Sequence, residues 1–321
     1  MNGVNDQCRP GGTTPEPRFA LVAFIAAVLA LAASPRCLAA AIIYQTGFEA
    51  REGYTTNRDL VDQNGWIGDG SGGNGILDGV FPGEGQSAYV GFAPPSPGYS
   101  YLFVYQPINK VLPQVQFSAN FSVFDSSNTN WDDFYWGVFN QRGDLLFNLD
   151  FDNYDLGVYY WLDGTNSRVW SGLTFTNAIL YPVTLDVDFA SNRWSATFNG
   201  AVLATNQPVT TIGSPLDLGD IDPGWIIFDT NAPGNNYLVF DDYVITASLP
   251  PPQLNWLGMV GQAPVLRLSG TPGMAFAIDG STNLLNWLPL KTNTTTGGSF
   301  DYVDNAAVGL PRRFYRGRWT P

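Results

Sequence analysis

The chain has 321 residues, of which 15 are Lys or Arg and 28 are Asp or Glu, giving a formal net charge of −13. So acidic a chain is poorly suited to polyanions, and nucleic acid is not an expected partner. The sequence contains two cysteines and no histidine, which excludes a Ser-His-Asp triad and a histidine-based zinc site.

The first 40 residues have the layout of a secretory signal peptide. An uncharged apolar stretch covers residues 19–33 and is followed by small residues that suit a cleavage site. It is shorter than the roughly twenty residues needed to cross a bilayer, so we predict a helical, cleaved signal and no membrane insertion afterwards. Cleavage would remove both Cys8 and Cys37. We therefore expect a secreted or cell-surface protein, extracellular or periplasmic, without disulfides.

Residues 41–247 alternate between apolar and polar side chains, as in 115–123, and this period of two predicts half-buried strands. Further strands are predicted at 134–140, 145–151, 156–162, 183–189, 193–198, 201–205, 225–229 and 237–246. Asn199-Gly200 is typical of a two-residue hairpin turn. The glycine-rich segment 65–91 is predicted to form long loops over one end of the sheets. Many short antiparallel strands indicate an all-β sandwich.

The Pro-rich segment 248–253 predicts a domain boundary, because consecutive prolines cannot pair in a sheet and form a stiff spacer. The part before it, 41–247, is strongly acidic, whereas the part after it, 254–321, has a basic excess. We therefore expect a large domain followed by a small module.

The patterns at 183–189, 193–200 and 238–245 resemble those of the concanavalin A-like lectin and glucanase (LamG-like) family. The resemblance covers about 41–247 by strand pattern and implies an antiparallel jelly roll of two curved sheets, with carbohydrate often bound on the concave one. The tail, at 275–287, 298–304 and 313–316, is similar to small C-terminal β-sandwich modules typical of exported bacterial proteins.

Alternation also assigns side chains to faces, because residues two apart on a strand share a face. Leu145, Phe147, Leu149 and Phe151 are expected to point inward, as are the odd-numbered residues of 183–189. The opposite positions are aromatic or polar, a combination that suits sugars. The candidate carbohydrate-binding residues are Tyr135, Asn148, Tyr159, Trp161, Asp186 and Asp188. The alternative is that these rings lie under a loop or the tail and that the aspartates only face solvent.

Catalysis has less support in the sequence. The resemblance implies that a hydrolase of this family would carry a Glu-x-Asp-x-x-Glu pattern on a strand. This chain lacks the pattern, because its glutamates after the signal are Glu49, Glu52 and Glu84, which precede the main strands. The substitutes are adjacent same-face aspartates, Asp186 with Asp188 or the pair beginning at Asp150, which could approach the carboxylate spacing of a glycosidase. Lyases of this fold imply a histidine, which the chain lacks.

No cofactor is expected to be required, although Ca²⁺ suits a chain rich in oxygen ligands. Asp150, Asp152 and Asp155 place three carboxylates at a strand end and form the candidate calcium site, with solvated loop aspartates as the alternative.

These observations favour an exported, non-catalytic protein that binds a polysaccharide or cell-surface glycan through one face of the jelly roll. A glycoside hydrolase that uses paired aspartates is the second hypothesis. A structural or adhesive surface protein without a small ligand is the third.

Overall fold

A computed structural model of the chain describes residues 40–68, 72–94, 98–165 and 168–320. The predicted signal peptide lies outside these residues except for Ala40, which begins the first strand. Across the described ranges, we find no helix with the length and apolar character needed to span a membrane.

Fifteen strands and a short 3₁₀ helix, Ala50–Glu52, make up the described chain before residue 249. The strands are β1 Ala40–Thr46, β2 Ile67–Gly68, β3 Asn74–Asp78, β4 Gln86–Gly91, β5 Tyr101–Tyr105, β6 Gln114–Phe124, β7 Asp133–Phe139, β8 Leu145–Phe151, β9 Gly157–Leu162, β10 Val169–Thr174, β11 Tyr181–Asp188, β12 Arg193–Phe198, β13 Ala201–Gln207, β14 Asp220–Ile226 and β15 Tyr237–Ser248.

These strands form two large antiparallel sheets. The eight-stranded sheet has the order β13-β12-β11-β6-β15-β4-β3, with β1 paired to the second half of β15. The seven-stranded sheet has the order β10-β9-β8-β7-β14-β5-β2. Neighbours in both sheets are often distant in sequence, as β6 and β15 are. The predicted all-β, antiparallel jelly-roll sandwich is confirmed.

Aromatic side chains from the two sheets meet in the core. Phe147 of the seven-stranded sheet stacks on Trp194 of the eight-stranded sheet, with ring centroids 4.2 Å apart and planes 3° apart. Phe121 and Phe151 meet edge to face at 4.6 Å. All four side chains are almost completely buried. Each such pair contributes about 0.5–1.5 kcal/mol of stability beyond that gained from the apolar area that it buries.

The prediction of long loops over 65–91 was wrong, because this segment supplies β2, β3 and β4. Its glycines disguise the strand pattern. A Cβ at Gly75 would lie about 2.8 Å from the ring of Tyr89 on the paired strand, so glycine is needed there for two neighbouring strands to pack. Where glycine replaces a side chain for this reason, the alternation of apolar and polar residues is interrupted.

Two further sequence predictions were also wrong. Leu145 does not point inward; its side chain is 38% exposed, while Leu146 is fully buried, because the pairing of β7 with β8 shifts at this point. The strand predicted at 225–229 begins earlier, at Asp220. The start was missed because proline rarely occurs inside a strand, so Pro223 argued against one. Proline is tolerated here because pairing with β5 begins only at the next residue.

Residues beyond the Pro-rich segment form two three-stranded sheets and a 3₁₀ helix, Asn305–Ala307. Their strands are β16 Gln253–Val260, β17 Ala263–Ser269, β18 Ala275–Ser281, β19 Leu288–Thr294, β20 Ser299–Val303 and β21 Phe314–Trp319. The sheet orders are β16-β17-β20 and β19-β18-β21. Leu268, Phe276 and Ile278 are fully buried and belong to the same apolar cluster as the core residues of the two large sheets.

Candidate functional site

The outer face of the seven-stranded sheet, the face that points away from the core, carries a row of aromatic residues. Strand register places Trp170, Tyr159, Asp150, Tyr135, Gly224 and Phe103 beside one another across six strands. Neighbouring strands are about 4.8 Å apart, so the row is roughly 24 Å long. Trp161 lies two residues from Tyr159 on the same face. This surface is long enough for several sugar rings.

A cleft of about 640 Å³ opens on this face beside Asp150. We call it the acidic cleft; its lining includes Asp133, Asn148, Asp150, Asp152, Trp161 and Arg168. The carboxylates converge because β7 begins where the antiparallel β8 ends, and the three aspartates share the outer face. The sequence therefore places three acidic groups at one corner of the sheet.

Arg168 holds these carboxylates together. Its Nη1 lies 3.3 Å from Oδ2 of Asp150 and 3.8 Å from Oδ2 of Asp133, and its Nη2 forms an ion pair with Asp152. The guanidinium also lies 4.0 Å from the ring centre of Tyr159. One cation thus serves three buried or nearly buried acids, and the cleft keeps an excess of negative charge.

The electrostatic consequence is clearest at Asp133. Burial, reinforced by the neighbouring charges of Asp150 and Asp152, raises the pKa of Asp133 to about 8, despite the hydrogen bond that Asn153 N donates to it. Burial also raises the pKa of Asp150, against the hydrogen bond from Trp161 Nε1 and the charge of Arg168. Asp133 is therefore protonated near neutral pH.

Tyr135 forms the floor of the outer face between two glycines. A Cβ at Gly224 would fall inside contact distance of its ring, and a Cβ at Gly137 would lie about 3.0 Å from it. The ring is therefore accommodated because both neighbouring positions lack side chains. Its side chain is 8% exposed, so it shapes the surface more than it projects from it.

A second cleft, of about 440 Å³, lies on the other side of Tyr135. Its lining includes Phe103, Tyr105, Phe139, Asp220 and Asp222. Burial raises the pKa of Asp220 to about 6. Aromatic rings and carboxylates therefore recur on both halves of the outer face.

The structure brings together four of the six candidate carbohydrate-binding residues: Tyr135, Asn148, Tyr159 and Trp161 share the outer face. The rings of Tyr159 and Trp161 are half-buried and face away from the intersheet core, where their neighbour Tyr160 contacts Trp194. The alternation of this strand was therefore interpreted correctly.

Asp186 and Asp188 do not belong to this group. They lie on β11 in the eight-stranded sheet, on the opposite side of the sandwich. Gln116 and Gln114 donate hydrogen bonds to them, at 2.8 Å and 3.0 Å. Burial would raise the pKa of Asp188, but hydrogen bonds from Gln114 and Ser191 outweigh it and leave that pKa below its ordinary value. Asp188 is therefore not the protonated carboxyl group that a glycosidase requires.

The three residues of the candidate calcium site each have a protein partner. Asp150 and Asp152 bind Arg168, whereas Asp155 accepts hydrogen bonds from the hydroxyl of Tyr159 at 2.6 Å and from Gly157 N at 2.7 Å. Among the described residues, no group of three or more acidic side chains is arranged to hold a metal ion.

Sequence reasoning missed three residues of the outer face. Asp133 lies on the same face of β7 as Tyr135, but the predicted strand began one residue later, at 134, and therefore left it out. Trp170 is 63% exposed on an edge strand whose glycine hides the alternation. Arg168 precedes that strand, and its only signal is that it is the sole basic residue between Arg142 and Arg193.

No protein-family model matches the chain, and no curated protein matches its sequence. Solved structures with a similar fold include a sialidase, at 9% identity and a TM-score of 0.43, covering 57% of this chain and 17% of that one. The cellulose-induced protein Cip1 matches at 12% identity and a TM-score of 0.43, covering 63% and 96%. A carbohydrate-binding module, CBM66 from Bacillus subtilis, matches at 8% identity and a TM-score of 0.36, covering 60% and 99%.

Proposed function

We propose that this is an exported, non-catalytic protein that binds a polysaccharide or cell-surface glycan through the outer face of its seven-stranded sheet. The observation that supports it is the row of rings from Trp170 to Phe103, interrupted by the carboxylate of Asp150 and bordered by Trp161. Aromatic rings pack against the apolar faces of sugars, while carboxylates and amides exchange hydrogen bonds with their hydroxyls. The roughly 24 Å length favours a chain of sugars over a single one. No cofactor is needed for this role.

Binding of cellohexaose and other neutral hexasaccharides by isothermal titration calorimetry tests this proposal. Trp161→Ala is expected to weaken binding by about 1–3 kcal/mol, the usual effect of removing a well-packed aromatic contact from a binding surface. Trp256→Ala is the matched control, because this tryptophan is 59% exposed on β16, outside the jelly roll. Equal binding by wild type and a folded Trp161→Ala protein would contradict the proposal. Absence of binding to any glycan would favour a structural or adhesive role.

Glycoside hydrolysis is a second candidate, favoured by the acidic cleft rather than by Asp186 and Asp188. A glycosidase needs one carboxyl group held protonated beside an ionised one. Asp133, with a pKa of about 8, and Asp150 both approach the same nitrogen of Arg168. Release of reducing ends from a polysaccharide panel, lost in Asp133→Asn, would support hydrolysis over binding alone.

A further inference from the structure

Two acceptor oxygens in the acidic cleft have no hydrogen-bond donor: Oδ1 of Asn148 and Oδ1 of Asp150. Both residues line the cleft, and they are 9% and 3% exposed. The nearby donors are already used, because Trp161 Nε1 and Arg168 Nη1 both donate to the other oxygen of Asp150. A buried acceptor without a donor is costly, so a ligand that supplies donors here gains binding free energy.

The charge of the cleft narrows the class of ligand. Four aspartates line it, and Arg168 is the one basic residue among its described lining residues. Asp163, the fourth aspartate, accepts hydrogen bonds from Thr210 and Thr211 and has no ion pair among the described residues. The net negative charge repels uronic acids and sulfated sugars and attracts a cation. Burial raises the pKa of Asp133, and the neighbouring charges of Asp150 and Asp152 add to the effect.

We infer that the acidic cleft binds an amino sugar, whose protonated amine donates hydrogen bonds to Oδ1 of Asn148 and Oδ1 of Asp150. The inference rests on the proposed glycan-binding function and names the class of glycan. An ammonium group offers three N–H donors where a hydroxyl offers one, and its hydrogen bond to a carboxylate is charge-assisted. Trp161, beside Asp150, provides an apolar surface for the sugar ring and a π face that attracts the charge.

Three β-1,4-linked hexasaccharides that differ only at C2 provide the test: cellohexaose with a hydroxyl, the glucosamine hexamer with an ammonium, and the N-acetylglucosamine hexamer with a neutral amide. Affinities are measured by calorimetry at mildly acidic pH and physiological salt, where the amine is charged and long-range attraction is screened. We expect the glucosamine hexamer to bind about tenfold or more tightly than cellohexaose, as one charge-assisted hydrogen bond allows.

Asp150→Asn keeps an acceptor and removes the charge, so it should reduce the preference for the glucosamine hexamer over cellohexaose to about twofold. Asp186→Asn makes the same change on an exposed residue of the opposite sheet and should retain the preference. Asn148→Ala, which leaves all carboxylates in place, tests the second acceptor and replaces Asp150→Asn if that variant fails to fold.

The outcomes separate the two proposals. If the three hexamers bind equally, the amino-sugar inference is overturned and glycan binding stands. If none binds to the folded protein, the proposed function fails. If Asp186→Asn lowers the preference as much as Asp150→Asn does, the attraction is a property of the whole acidic protein and the assignment to this cleft is overturned.

Discussion

Replacing Asp133 with asparagine should change how the stability of the fold depends on pH. The pKa of Asp133 rises from the ordinary 3.8 to about 8, chiefly through burial. Between these values the folded state keeps a proton that the unfolded state has released. Stability from this group is therefore fully present below about pH 4 and is lost as pH rises to about 8.

The magnitude follows from the size of the shift. One pKa unit corresponds to 1.36 kcal/mol, so a shift of roughly four units corresponds to about 5 kcal/mol. Asp133→Asn cannot ionise and keeps an oxygen for the hydrogen bond from Asn153 N. Wild type should thus lose about 5 kcal/mol more of its unfolding free energy than the variant does between about pH 4 and pH 9.

Urea denaturation of both proteins across this pH range, followed by tryptophan fluorescence, measures the difference. Asp186→Asn serves as the control, because it removes an exposed carboxyl from the opposite sheet. Parallel pH profiles for wild type and Asp133→Asn would mean that Asp133 is ionised in the folded state at neutral pH, and the electrostatic argument for the acidic cleft would be refuted.

Two other variants probe the sandwich and its outer face. Phe147→Ala removes a fully buried ring from the intersheet core and should cost about 3–5 kcal/mol of unfolding free energy. Phe228→Ala, at a residue that is 65% exposed, is the control and should cost little. A loss below about 1 kcal/mol for Phe147→Ala would contradict the assigned packing. Gly224→Ala places a methyl group against the ring of Tyr135, so it should lower the unfolding free energy by about 1–3 kcal/mol and weaken hexasaccharide binding. Gly297→Ala is the control, because a Cβ there meets no atom within 4 Å. Equal binding by both variants would show that the position of Tyr135 is irrelevant to the ligand.

The strands and their faces were largely predictable, because alternation is a local property. Asp150 and Trp161 could be assigned to the outer face from their neighbours alone, and the structure agrees. Alternation fails where a strand lacks ordinary side chains. Gly75 in β3 leaves room for the ring of Tyr89, and Pro223 in β14 is tolerated because pairing with β5 begins only at the next residue. The local sequence identifies neither neighbouring strand.

The composition of the candidate site was only partly predictable, because strand pairing is not a local property. β11 pairs with β6 and β12, which places Asp186 in the sheet opposite Trp161. Arg168 enters the cleft from the segment before β10, and no periodicity marks it. A local pattern can say which residues share a face of one strand, whereas the sheet to which that strand belongs is decided by contacts across the whole chain.

The ring of Tyr135, seated over its two glycines, lies between the acidic cleft and the second cleft. If the outer face binds glycans as proposed, an oligosaccharide too short to pass over this ring would occupy only one cleft at a time, and its affinity would be that of a single contact. Once a chain reaches both clefts, the second contact forms within the same complex, at an effective concentration set by the ligand's own stiffness. On the proposed function, affinity should then rise abruptly at one chain length, and a polymer would bind more tightly than its fragments.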